Sequence, residues 1–216
     1  MTLGTILATI AALSALGYLF FCAKEASALR SFLKTISVAL LGLAAWMAGA
    51  PMLLVLALLL CALGDFFLSR EGEGAFMAGV GAFAAGHLVY VVLFLGLEES
   101  VLARLFGLPN ALFALLILVV GAAMMRILAP KAGELKFAVL AYIPIILSMG
   151  LAALSIEATG ALLWILPAAL AFMVSDIVLA FETFVLAEDH WLRRWTPYAV
   201  WPLYWGAQGG FFLAFS

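Results

Sequence analysis

Charge is what this sequence has least of. Lys, Arg, Asp and Glu make up 10% of its 216 residues, against roughly a quarter in soluble domains, and that excludes a soluble globular domain. The net charge of −2 gives no basis for a nucleic-acid partner. Thiols are nearly absent: Cys22 and Cys61 both fall in apolar runs, so neither a disulfide framework nor a Cys-based metal site is expected. Histidine is just as rare, with His87 in an apolar run and His190 in a connection. Catalytic zinc usually takes three protein ligands, which leaves a His87–Asp65–Asp176 site as a disfavoured reading; no metal and no cofactor are expected. Ser69 and Ser175 stand beside the aspartates but outside any G-x-S-x-G context, so a serine nucleophile is not supported.

What is present is apolar. Hydrophobic residues make up 68% of the chain and its mean hydropathy is +1.27. A bilayer is crossed by about 20 mostly apolar residues, and eight stretches qualify: 3–23, 31–47, 51–69, 76–96, 108–128, 136–156, 161–186 and 196–215. The second is short. The first has neither a basic leader nor an A-x-A cleavage site, so it is expected to be retained. The expectation is an all-α integral membrane protein, a single domain over 1–216 with eight transmembrane helices and short loops.

The scarce charges are unevenly placed. Loops 1–2, 3–4, 5–6 and 7–8, with the helix ends beside them, hold Lys24, Arg30, Lys34, Arg70, Arg126, Lys131, Lys136, Arg193 and Arg194. The other side holds Arg104 alone. Lys and Arg in short loops stay on the cytoplasmic side, so both termini are expected outside the cytoplasm, in a bacterial inner (plasma) membrane.

Polar residues inside apolar runs narrow the function. An aspartate near a helix centre costs about 2.5–3.5 kcal/mol on insertion scales, so it faces a bundle interior with a partner or a task. Asp65 lies in PMLLVLALLLCALGDFFLS and Asp176 in ALLWILPAALAFMVSDIVLAFETFVL. At 1.5 Å per residue, Asp65 sits about 6 Å and Asp176 about 15 Å from the cytoplasmic ends of their runs. On the same count His87 is about 16 Å and Gln208 about 18 Å deep, while Lys34 sits one turn into the second span. All lie in the cytoplasmic half, which implies a cavity open to the cytoplasm. His87 and Tyr90 are spaced i, i+3 and Tyr204 and Gln208 i, i+4, so each pair shares a helix face. Structural readings compete: the aspartates could pair with Lys34 or cap a broken helix, His87 could be an interhelical hydrogen-bonding residue, and Tyr142 precedes Pro144 at an expected kink. Glu182, six residues past Asp176, reads as an interfacial residue. Trp191, Trp195, Tyr198 and Trp201 read as an interface belt.

The motifs resemble a known family. LALLLCALGDFFLS is similar to its helix-3 signature, a small residue and Gly-Asp before apolar residues. FMAGVGAFAAGHLVYVVLF matches its Phe-x-x-Gly…Phe…His-x-x-Tyr segment, LPAALAFMVSDIVLAFETF its Ser-Asp helix, and YWGAQGGFF its Tyr-x-x-x-Gln helix. Lys34 stands where the family carries a lysine, with Thr35 in place of the proline that often follows. The chain thus resembles the YhhN family of integral-membrane lysoplasmalogenases over nearly its whole length. The resemblance implies hydrolysis of the vinyl ether of a lysoplasmalogen to a fatty aldehyde and glycerophospho-ethanolamine or -choline. A lysophospholipid substrate and membrane lipids are the implied partners.

Two carboxylates suit that chemistry, because protonating a vinyl ether makes an oxocarbenium ion, as in glycosidases. Asp176, the deeper, is assigned as proton donor and Asp65 as base and stabiliser. Lys34, His87, Tyr90, Tyr142, Tyr204 and Gln208 are the residues expected to bind and position substrate and water. The rival reading is a small-molecule or lipid transporter using midplane carboxylates, although no matching pair of broken helices supports it. The Lys/Arg asymmetry makes its own prediction: a C-terminal reporter that matures only in the cytoplasm should stay dark, and a bright one would reverse the orientation.

Overall fold

A computed structural model describes residues 2–216 and arranges them as eight α-helices. They are α1 (Leu3–Leu19), α2 (Ala28–Met47), α3 (Met52–Leu68), α4 (Glu73–Leu95), α5 (Asn110–Leu128), α6 (Lys136–Leu154), α7 (Ile165–Phe184) and α8 (Thr196–Phe215). Among the described residues there is no β-strand; the one bridge, Ser100 to Ile156, joins two loops. Helices satisfy most backbone groups of a span within the segment itself, as hydrocarbon requires.

Five segments are long and apolar enough to cross a membrane: Ala28–Met47, Glu73–Leu95, Asn110–Leu128, Gly133–Leu154 and Gly160–Phe184. The protein is therefore a multi-pass membrane protein, with five segments meeting that requirement against the eight expected. The difference has local causes. α1 and α3 stop at 17 residues each, and α8 dilutes its apolar residues with Pro, Tyr, Trp and Gln.

Helix ends follow local chemistry. The Ser27 hydroxyl accepts from the Arg30 amide at 3.2 Å and starts α2 three residues earlier than expected. Lys34 therefore lies six residues inside the helix, about 9 Å from its start rather than one turn. Gly49, with φ of +76°, turns the chain before Pro51 opens α3; Gly72, at +99°, does the same before α4. α1 ends at Leu19, so Cys22 sits buried in the turn beyond it rather than within the span. Neither cysteine is in a disulfide.

Consecutive helices pack side by side except α4 and α5; α4 instead lies on α6, and α8 returns to touch α1, α2 and α3. The loops after α4 and α6 are tied by Val101 N–H to Ser155 O at 3.0 Å and Glu157 N–H to Glu99 O at 2.8 Å. Arg104 adds a guanidinium bond to Ile156 O. At the opposite end, the Ser31 hydroxyl reaches Ser69 O at 3.4 Å. Trp201, expected in the interface belt, is instead buried, with its indole N–H on Ala15 O at 3.0 Å. Trp191, Trp195 and Tyr198 are exposed.

Small residues set the spacing of α3 and α4. A Cβ on Gly64 would lie 2.6 Å from the Phe83 ring, one on Gly79 2.7 Å from Leu68, and one on Gly86 2.9 Å from the Cys61 sulfur. Close backbone approach through small residues is how membrane helices gain packing energy without a hydrophobic drive. Gly86→Ala should therefore destabilise the detergent-solubilised protein by about 1–3 kcal/mol through overpacking. Gly81→Ala, with nothing within 4 Å, should leave its thermal midpoint unchanged or raised; equal melts for the two variants would contradict this packing.

Candidate functional site

A cavity of about 410 Å³ occupies one end of the bundle. Its walls come from the starts of α2, α4, α6 and α8 and the ends of α3, α5 and α7, which is the end that carries the basic loops. One wall is polar, built from Arg30, Lys34, Asp65 and Tyr204. The opposite wall is apolar, from Val120 and Met124 on α5, Ile143 and Leu147 on α6, and Ile177 on α7. Tyr142 and Asp176 also stand on the wall, with Glu182 and Thr183 nearer the end of α7.

Asp65 is the most enclosed charge. It comes off the last turn of α3 with no accessible surface, where an isolated carboxylate would be prohibitively costly. Two partners from other helices compensate it. The Lys34 ammonium of α2 lies 3.2 Å from Oδ1, with side-chain exposures of 17% and 1% for Lys34 and Asp65. The Tyr204 hydroxyl of α8 donates to Oδ2 at 2.6 Å.

Asp176 has different company. It is half-buried, and among the described residues no cation lies within ion-pair distance; its protein partner is the Tyr142 hydroxyl, which donates to Oδ2 at 2.5 Å. Tyr142 comes off α6 two residues before Pro144, inside the helix. Behind it, His87 Nδ1 lies 2.7 Å from Phe83 O and 3.4 Å from the Tyr142 oxygen. A carbonyl only accepts, so the imidazole proton sits on Nδ1, and Nε2 is left as a buried acceptor without a partner. Ser175, next to Asp176, donates to Val200 O at 3.2 Å and fixes α7 against α8.

Of the residues singled out by spacing, Lys34, Asp65, Tyr142, Asp176 and Tyr204 come together on the cavity wall. His87 lies one contact behind it through Tyr142. Tyr90 and Gln208 are fully buried away from the cavity, with the Tyr90 hydroxyl on Gln208 Oε1 at 2.6 Å joining α4 to α8. Two charged cavity residues were not picked out as site residues, Arg30 and Glu182. Arg30 was legible, since it stands four residues from Lys34 on the same face of α2. Glu182 was not, because it is off the Asp176 face and reaches the cavity only at the last turn of α7. Among the described residues, no three His, Cys, Asp or Glu side chains converge as a metal-binding group.

A family model described as the YhhN family matches residues 29–215, which takes in Lys34, Asp65, Tyr142, Asp176 and Tyr204. No curated protein and no solved structure matches the chain.

The geometry around Asp65 makes an asymmetric prediction. Removing one partner of a buried ion pair costs about 3–5 kcal/mol because the other charge is left alone. Lys34→Met strands a carboxylate with no access to solvent and should carry that full loss in thermal melts. Asp65→Asn should cost less, because Lys34 keeps some exposure and can turn its ammonium toward water. The double variant should recover most of the loss of Lys34→Met; additive losses would mean that the two groups are not coupled.

Proposed function

The chain belongs to the YhhN family, and from that premise and the cavity we propose that it is a membrane-embedded ether hydrolase of the lysoplasmalogenase type. The observation that carries the reading is the pairing of two aspartates on one amphipathic cavity with opposite surroundings. Asp65 has a cation and a hydroxyl to hold it ionised. Asp176 has a hydroxyl and no cation, so it is the one to carry a proton. Pairs of carboxyls in contrasting environments are how one site supplies both an acid and a base.

The alkyl chain of a lysolipid lies along the apolar α5–α6–α7 wall, which puts the vinyl ether between the aspartates. Asp176 delivers its proton to the β-carbon of the double bond, and the ether oxygen stabilises the resulting oxocarbenium ion. The Asp65 carboxylate stabilises that cation from the wall and exchanges protons with the cavity through the Tyr204 hydroxyl bonded to it, taking one from the water whose oxygen adds. The hemiacetal then collapses: its hydroxyl proton returns to Asp176 while Asp65 protonates the departing glycerol oxygen. One water is consumed, an aldehyde and an alcohol are released, and both carboxyls return to their starting states. Tyr142 aims Asp176 and is itself fixed by His87. Lys34 and Tyr204 aim Asp65, and the Tyr90–Gln208 pair braces Tyr204 from behind by joining α4 to α8.

The eight helices are read as eight crossings, with both termini outside the cytoplasm and the cavity mouth facing it. The support is the alternation of helix direction together with the location of nine basic residues at the cavity end.

The test is mass spectrometry of the purified protein with vinyl-ether, alkyl-ether and acyl lysolipids. The vinyl ether alone should yield aldehyde. Asp176→Asn should lower turnover about 10²–10⁴-fold, the scale of general acid–base catalysis, and Asp65→Asn similarly. The double variant should lose little more than either single one, because members of a catalytic unit are non-additive. Full turnover in Asp176→Asn at normal stability would overturn the mechanism. Lipid moved across proteoliposomes without conversion would replace the enzyme with a transporter.

A further inference from the structure

One phenol that lines the cavity has no task in the chemistry above. Tyr18 stands in the last turn of α1, ahead of the residues that the family match takes in. Its ring is buried and lies on the Trp201 indole, with centroids 4.2 Å apart. Trp201 is fixed in turn by its N–H on Ala15 O at 3.0 Å, and its other neighbour is the Tyr204 ring at 5.8 Å. Tyr18 and Tyr204 thus flank one immobilised indole. The hydroxyls of Tyr90, Tyr142 and Tyr204 are each given to a side chain of another helix. The Tyr18 hydroxyl bonds to no protein group among the described residues, and its oxygen is open to the cavity. A buried tyrosine ordinarily finds a partner for its O–H, so the partner of this one is a molecule that enters the cavity.

The neighbours of Tyr18 narrow the choice of molecule. Lys34 is an electrostatic neighbour of the phenol. Its ammonium lies 3.2 Å from Asp65 Oδ1 while the side chain keeps 17% of its surface, and an ammonium has three donors, so donors remain for the cavity. Across the indole, the Tyr204 oxygen is bonded to Asp65 Oδ2 and still has a lone pair to accept with. Arg30 competes less, because its Nη2 is turned to Cys22 O. An ammonium donor and two phenol oxygens are the set of partners that a single ordered water takes, two to four polar groups of mixed sense.

We propose that Tyr18 positions the attacking water. The water gives one hydrogen to the Tyr18 oxygen and the other to the Tyr204 oxygen, and one lone pair accepts from the Lys34 ammonium. The remaining lone pair forms the new C–O bond to the oxocarbenium carbon. As that bond forms, the water's proton passes to the Tyr204 oxygen while the Tyr204 proton moves to Asp65 Oδ2, so charge and atoms balance without a further reactant. Tyr18 itself exchanges no proton; it selects the orientation from which addition occurs. The proposal rests on the hydrolase reading of the cavity.

Tyr18→Phe isolates the hydroxyl, because it keeps the ring on Trp201 and removes one oxygen that has no protein partner. The full-length wild type and variant, purified in detergent, would be given a vinyl-ether lysolipid in buffer with graded methanol. Methanol that adds to the same cation yields a mixed acetal in place of the aldehyde, so the product ratio reports which molecule is held for attack. The variant should lose about tenfold in kcat, the scale of one hydrogen bond, with KM and the thermal midpoint unchanged. Its share of mixed acetal at a given methanol concentration should rise above that of the wild type. Wild-type kcat and product ratio in Tyr18→Phe would overturn the water site. So would a loss confined to KM, which would make Tyr18 a lipid contact, or a lowered midpoint at the wild-type ratio, which would make it a packing residue. No aldehyde from the wild type would sink the hydrolase reading and the water site together; turnover indifferent to the hydroxyl would sink the water site alone.

Discussion

A carboxylate sealed inside an apolar helix bundle has to be matched by charge, and Asp65 is matched from two directions. Lys34 comes to it from α2 and Tyr204 from α8, so the neighbouring helices α2 and α3 and the distant α8 meet at one electrostatic point. Neither partner can leave without exposing an unpaired charge to a low-dielectric interior, where Coulomb interactions are several times stronger than in water. The bundle is therefore pinned at the polar wall of its cavity, and the apolar wall is left to α5, α6 and α7. α5 packs on α6 and only lightly on α7, so this wall is the more loosely closed of the two.

The second aspartate gains its character from what it lacks. Asp176 has a strong hydroxyl donor and access to the cavity but no cation. Its donor, Tyr142, is held in turn by an imidazole whose proton is committed to Phe83 O. That leaves Tyr142 free to give its hydrogen to the carboxyl rather than to the histidine. The two aspartates differ by one lysine, and that single difference divides acid from base in the proposed reaction.

The remaining polar groups serve the frame. Tyr90 and Gln208 spend their hydrogen bond on each other, and Trp201 spends its indole on α1. Arg104 closes the far end by tying two loops together. Glycines at the α3–α4 contact bring those helices close together, with Asp65 on the cavity wall and His87 buried behind it. Interior polar residues of a membrane protein are costly; Asp65, Tyr90, Asp176, Ser175 and Trp201 each meet that cost with a partner from another helix.

Composition alone determined the class, because a chain with one charged residue in ten cannot be solvated as a globular domain. Spacing in the sequence also exposed Asp65, Asp176, His87, Tyr142 and Tyr204, since a polar residue in a membrane-length apolar run stands out by its desolvation cost. The span count was less legible: helix ends set by Ser27, Gly49 and Gly72 shift boundaries, and α1 and α3 come out short. Which polar residues share a wall was decided only by tertiary structure. Tyr204 and Gln208 lie on one face of α8, yet one lines the cavity and the other is sealed against α4. Glu182 reached the mouth although periodicity set it off the Asp176 face. A helical repeat fixes direction around one axis, whereas a cavity wall depends on the crossing of several, and no single-helix pattern contains that information.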